Sequence, residues 1–251
     1  MPQDTSTESA DEQRIQTARS LGLQGRFDEA WAELAKISAA RTPRIEVRLQ
    51  LESGRLENSR GHRDAAKPYF RQALELAEQG HFEHEAIDAA HMLGIVSAGE
   101  EAIRWNELGL RLAAASSNES ARQWKGSLLN NLGWTYFNTG DFNSALSTFQ
   151  AALAFQETAG DAVRIRVAQW TVARCLRALE RYDEALAIQH RLIEYPEQGY
   201  VSEELGELLL VLGRPDEATP HFNKAYALLA QRLGSVPGEA ARLARLKQLG
   251  Q

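Results

Sequence analysis

Along residues 129–153 the apolar positions follow a helical period, break at a turn and then resume. Leu129, Leu132, Gly133 and Tyr136 recur at intervals of three and four. Gly140 and Asp141 interrupt the pattern, and Ala145, Leu146, Phe149, Ala152 and Leu153 take it up again. This spacing predicts two amphipathic helices joined by a tight turn. The small residues, Gly133 and Ala145, let antiparallel helices touch, and the large ones fill the remaining space. Either helix pair alone would leave one apolar side open, which a stacked neighbour closes.

The turn pattern Gly-x-Phe/Tyr-Asp/Asn-x-Ala locates further copies. The first is Gly25-Arg26-Phe27-Asp28-Glu29-Ala30, with Leu34 and Ile37 after it, and the second is Gly61-His62-Arg63-Asp64-Ala65-Ala66, with Phe70 and Ala73. A third follows Leu93-Gly94 through the shortened turn Ser97-Ala98-Gly99-Glu100-Glu101-Ala102. The fifth is Arg181-Tyr182-Asp183-Glu184-Ala185, and the sixth is Gly213-Arg214-Pro215-Asp216-Glu217-Ala218 after Leu205-Gly206. Six copies recur roughly 33 to 40 residues apart, a helical-repeat period. Pro68 and Pro220, four residues after Asp64 and Asp216, are expected at helix starts. Beyond Gly234, Pro237 and Gly238 lead into a segment with one apolar stripe and one basic side, expected to cap the array over 237–248.

Leu132, Gly133, Tyr136, Ala145, Phe149 and Ala152 together resemble the tetratricopeptide repeat. The resemblance covers about residues 11 to 232, divided approximately as 11–42, 47–80, 84–115, 122–159, 162–195 and 199–232. Thr17 and Ala18 stand in the first copy where Leu-Gly is usual, Val172 and Ala173 stand there in the fifth, and no copy carries the motif's early Trp in its usual place. The resemblance implies an all-α, right-handed α-solenoid of about six helix-turn-helix repeats with a C-terminal capping helix. It also implies that the first helix of each pair lines a concave groove.

Carried over residue by residue, that geometry places Arg19, Leu51, Arg55, His91 and Ile95 inward in the first three copies. The fourth copy supplies Asn130, Trp134, Phe137 and Asn138. The fifth supplies Trp170, Arg174 and Arg177, and the sixth supplies Glu203 and Glu207, with Tyr200 near the entry. From these, Asn130, Trp134, Asn138, Trp170, Arg174, Arg177, Tyr200, Glu203 and Glu207 are the expected peptide-holding residues. Trp and Arg are enriched at binding hot spots. An asparagine amide bonds both N–H and C=O of an extended backbone, and paired arginines grip a carboxylate or phosphate. The competing reading makes Trp134 and Trp170 packing residues and pairs the arginines with Glu203 or Glu207. Relatives that hold acidic chaperone tails use Lys, Asn and Arg at places filled here by Ile15 and Arg19, Glu52 and Arg55, Asp88 and Met92. Glu52 and Asp88 would repel such a tail.

Composition narrows the function classes. The chain of 251 residues carries 28 basic and 34 acidic side chains, a net charge of -6 that argues against a nucleic-acid partner. Cys175 is the single cysteine, so no intramolecular disulfide and no cysteine-based zinc cluster forms. Residues 1–10 are polar, lack the basic start and apolar centre of a signal peptide, and are expected to be disordered. No apolar run approaches the ~20 residues that span a bilayer, and a cytoplasmic location is expected.

The chemistry-bearing residues suggest no enzyme. His81, His84 and His91 beside Glu83 and Glu85 read as a solvated helix end rather than a metal site. Cys175, next to Leu176, reads as a core residue. No strand-borne Gly-rich phosphate loop is present, and no cofactor is expected. The leading reading is a non-catalytic scaffold holding a peptide segment of a protein partner. Its alternatives are a ligand-gated sensor of a small peptide or anionic metabolite and a structural protein that self-associates as a homodimer.

Overall fold

The structure, a computed structural model, describes residues 3–195, 199–234, 236 and 238–251. It comprises two compact units, Met1–Gly140 and Asp141–Gln251. The first holds α1 (Gln3–Leu23), α2 (Phe27–Leu34), α3 (Pro43–Ser59), α4 (Arg63–Gln79), α5 (Glu83–Val96), α6 (Gly99–Ala115), the short α7 (Glu119–Arg122) and α8 (Trp124–Asn138). The second holds α9 (Phe142–Ala159), α10 (Ala162–Ala178), α11 (Tyr182–Leu192), α12 (Gly199–Val211), α13 (Pro215–Leu233) and α14 (Ala240–Leu249). Among the described residues there is no strand. In unit 1 the first helices of successive pairs pack side by side, α1 on α3, α3 on α5 and α5 on α8; in unit 2, α10 packs on α12.

The recurring turn has a physical cause. Gly25 and Gly213 adopt φ of +75° and +72°, left-handed backbone that glycine enters without steric cost. The residue that follows then donates its N–H five residues back, Arg26 to the Leu21 carbonyl and Arg214 to the Leu209 carbonyl, each at 2.9 Å. This is the six-to-one closure of a helix end, which satisfies a carbonyl that the last helical turn leaves open. In the fifth copy Glu180 takes the same role at φ +59°, with Arg181 donating to Leu176 at 2.9 Å.

Across the turns within each unit the motif alanine, Ala30, Ala66, Ala185 or Ala218, is buried at the helix contact, and Ala145 of α9 is buried as well. A Cβ added at Gly54 would stand 2.6 Å from the Phe70 ring, and one at Gly206 would stand 2.9 Å from Phe222. Missing side chains therefore make room for the rings that fill each pair. The third and fifth copies place buried Asn106 and Gln189 where the second, fourth and sixth have Phe and the first has Leu34; the Asn106 amide donates to the Ala102 carbonyl at 2.8 Å.

Three expectations change. The segment expected to be disordered, 1–10, contributes most of the first half of α1 from Gln3 onward. It lacks an apolar stripe, but hydrogen bonds tie it down: Thr42 Oγ1 donates to Glu8 at 3.1 Å, and buried Asp11 accepts from the Ser38 N–H at 3.3 Å. Pro68 and Pro220 lie inside α4 and α13, a turn beyond the helix start. Each removes one donor from a bond to the carbonyl four residues back, Asp64 or Asp216, and both of those residues are exposed. The cap expected over 237–248 is α14, Ala240–Leu249; Pro237 lies outside the described residues. Leu243 and Leu246 bury its apolar stripe against Leu205, Leu209 and Phe222.

Candidate functional site

In unit 2 the site begins at a helix cap. The Asp161 carboxylate accepts the N–H groups of Val163 and Arg164 at 3.0 and 3.1 Å, fixing the start of α10. From there Val163, Val167, Trp170, Arg174 and Arg177 follow at alternating four- and three-residue steps along one helix face. Val163 and Val167 are 61% and 54% exposed, unusual for branched aliphatic side chains in regular helix. With Arg166, Trp170, Tyr200 and Val201 they line a pocket of about 280 Å³ between α10 and α12. Trp170 is held in place rather than loose. Its indole N–H donates to the Tyr200 carbonyl at 3.1 Å, and its ring meets the Tyr200 ring edge-on, centroids 5.9 Å apart.

The charged residues divide. Arg174 stacks over Trp170, its guanidinium carbon 5.5 Å from the ring centroid. Arg177 instead reaches Glu204 in a bidentate pair at 2.5 and 3.1 Å. Glu204 is 2% exposed, and burial pushes its carboxyl above the usual carboxylate range against the pull of Arg177. Glu203 accepts from Arg242 Nε at 2.9 Å, and Glu207 accepts from Arg245 at 3.1 Å. Arg242 also lies over the Tyr200 ring, 5.1 Å from its centroid. Thus Trp170 and Tyr200 line the open pocket, Arg174 lies over Trp170 without lining it, and Arg177, Glu203 and Glu207 form ion pairs. The competing sequence reading anticipated an arginine–glutamate pair here; the partner of Arg177 is Glu204, one residue from Glu203.

In unit 1 the face built by α1, α3 and α5 is charged. A cavity of about 260 Å³ is lined by Glu12, Arg19, Arg48, Glu52, Arg55 and Asp88, among others. Arg55 bridges Asp88 and Glu52, the latter at 3.4 Å; Arg48 reaches Glu12 and, at 3.2 Å, Glu85, which also accepts from Arg44 at 2.8 Å. The two acids expected to repel an acidic tail are therefore already matched by Arg55. Burial lifts the Glu52 carboxyl. For Glu85 burial pulls in the same direction, but the hydrogen bond and charge of Arg44 outweigh it and hold the carboxyl below its ordinary range.

A second cleft of unit 1, about 550 Å³, opens between α5, α6 and α8 and is lined by Arg63, Ile95, Asn131, Trp134, Thr135 and Asn138, among others. Trp134 and Asn138 stand together there as expected from sequence. Asn130 does not line it; Asn131 takes that place and meets His91 Nε2 at 2.8 Å. The stripe 131, 134, 135, 138 is the one that lines this cleft; it shares Trp134 and Asn138 with the motif count and takes Asn131 in place of Asn130. Trp134 meets Phe137 edge-on at 5.3 Å. Burial holds the His91 imidazole below its ordinary range. His84 accepts from Trp124 Nε1 at 3.3 Å, and no group of three or more His, Cys, Asp and Glu side chains able to hold a metal is gathered among the described residues.

Cys175 is buried, its Sγ 3.2 Å from the Phe142 carbonyl, and burial pushes its thiol up to about 11. Burial in the core disfavours the thiolate that nucleophilic chemistry requires. No helix among the described residues is long and apolar enough to cross a membrane.

Comparison with known proteins bears on the fold. Residues 47–79 and 126–161 each match a model described as tetratricopeptide repeat. No curated protein sequence matches the chain. Among solved structures, the chain is similar to a Signal Transduction ATPase with Numerous Domains from Pyrococcus horikoshii that carries a tetratricopeptide repeat sensor, with a TM-score of 0.72 at 12% identity over 94% of this chain. It spans only 41% of that protein. It is also similar to the apo form of RapI, with a TM-score of 0.66 at 14% identity, over 94% of this chain and 68% of the other. NprR in complex with its cognate peptide NprX gives a TM-score of 0.61 at 13% identity, over 97% and 79%. At these identities the likeness is one of fold.

Proposed function

Because this chain is a tetratricopeptide-repeat protein, we propose that it is a non-catalytic interaction module holding a segment of a protein partner on the α10/α12 face of its second unit. The observation that carries the reading is the apolar mouth formed by Val163, Val167 and Trp170. Exposed branched side chains beside a hydrogen-bonded tryptophan cost solvation in the free chain, and a partner's apolar side chain removes that cost. The NprR structure, solved with its cognate peptide, is a relative in fold that holds a peptide. In this reading Trp170 and Tyr200 make the contact, and Arg174 lies over Trp170. Arg177, Glu203 and Glu207 hold α12 and α14 in place. Trp134 and Asn138, with Asn130 nearby on α8, offer a separate contact surface in the first unit.

Quantitative affinity capture from the source organism, followed by titration of the captured partner, tests this. Val167→Asp puts a charge into the mouth and is expected to weaken binding about 30-fold, roughly 2 kcal/mol, without lowering the melting temperature, since Val167 is exposed. Partner binding unchanged by Val167→Asp and by Trp170→Ala would refute the assignment.

A further inference from the structure

We infer that the α10/α12 pocket selects a partner segment in which a large apolar side chain lies within two residues of an acidic one. This rests on the peptide-holding role proposed above and adds the chemistry of the peptide. The pocket walls are valine and aromatic carbon, Val163, Val167, Trp170, Tyr200 and Val201, so the side chain that enters is apolar and large enough to reach Trp170. Among the described residues that line the pocket, the charge at the rim comes from one arginine. Arg166 lines the pocket and lies over the Tyr195 ring, its guanidinium carbon 4.6 Å from the centroid. A guanidinium stacked on a ring keeps its N–H donors in its own plane, pointing sideways, where a carboxylate can accept two of them.

The carboxylates of α12 do not oppose such a ligand. Glu203, Glu204 and Glu207 are each engaged by an arginine, Arg242, Arg177 and Arg245 respectively. The carboxylates of α12 are therefore already matched by fixed partners, and an incoming carboxylate meets the field of Arg166. A lysine or arginine beside the apolar anchor would meet like charge at the rim. Complementarity of this kind sets selectivity and association rate more than total affinity, so the acidic residue is the discriminating element and the apolar residue the anchor.

Selection of random 12-residue peptides displayed through their C-termini, so that no free terminal carboxylate is presented, tests this on the full chain. Enriched peptides are expected to carry Asp or Glu within two positions of a large apolar residue. Against Arg166→Glu the acidic preference should disappear, and a selected acidic peptide should bind roughly tenfold more weakly while its lysine-substituted twin does not. Peptides that need Val167 yet show no acidic excess, or whose preference survives Arg166→Glu, overturn this inference and leave the peptide-holding role intact. Enriched peptides indifferent to Val167→Asp overturn the role itself.

Discussion

Phe70→Ala is expected to destabilise the first unit by about 3–5 kcal/mol. Phe70 is fully buried in a cluster with Leu51, Ala66, Ala73 and Leu93, and its ring rests where a Cβ of residue 54 would be. Truncation removes both the transfer energy of the ring and its van der Waals contacts with α3, and antiparallel helices close such a hole only partly. Gly54→Ala should cost about 1–3 kcal/mol by the opposite fault, overpacking. The two changes share one space, so the double variant should lose less than the two single losses combined, because the new methyl occupies room the ring has left. Urea unfolding of the four proteins measures this; strict additivity would mean that ring and glycine do not share that contact.

Arg177→Ala is expected to cost about 3 kcal/mol at pH 7, because it strands the Glu204 carboxylate in a buried site. The pH dependence has a definite sign. Burial already raises the Glu204 carboxyl above its ordinary value, and without Arg177 only the weaker pull of the Arg174 charge opposes that rise. A carboxyl raised in the folded state contributes stability below its unfolded pKa and loses it as pH rises through the folded one. The deficit of Arg177→Ala relative to the parent is therefore largest at neutral pH and narrows as the pH falls into the carboxylate range. Glu204→Gln added to Arg177→Ala should recover much of the loss at pH 7, since it removes the stranded charge. Thermal melts of the three proteins from pH 7 to 4 check both statements. A deficit that stays constant across that range would mean that Glu204 is not the group left uncompensated.

These two sites also mark what the sequence could reveal. The helix pairs, their turns and their contact residues were readable because they depend on local spacing. The left-handed glycines, the buried motif alanines and the glycine–phenylalanine contacts all repeat at fixed intervals. The prolines misled by one turn because a single missing donor is tolerated wherever its carbonyl faces solvent. Near the start of the chain the described ties are polar, Glu8 to Thr42 and Asp11 to Ser38, and such ties leave no apolar period to read.

The candidate site was less legible. Of the residues the motif count turned inward, Trp134, Asn138, Trp170 and Tyr200 line clefts and Arg174 does not, and Asn131 rather than Asn130 lines its cleft. The count fixes a helix face only to within one residue when repeat lengths vary. Glu203 and Glu207 looked like groove charges because their partners lie nearly forty residues downstream. The basic side of the last helix was visible in sequence, yet the carboxylates it meets were not. Val163 and Val167, the exposed centre of the α10/α12 pocket, passed unnoticed. Their signal was present as two valines on the face that also carries Trp170, where a helix turned to solvent would have polar residues.

Hydrogen–deuterium exchange of the full chain with and without its captured partner tests the central claim most directly. The proposed role predicts slower exchange over α10 and α12, residues 162–178 and 199–211, when the partner is bound, with α4 and α6 unchanged. Protection confined to the first unit, with α10 and α12 exchanging as in the free chain, would contradict it.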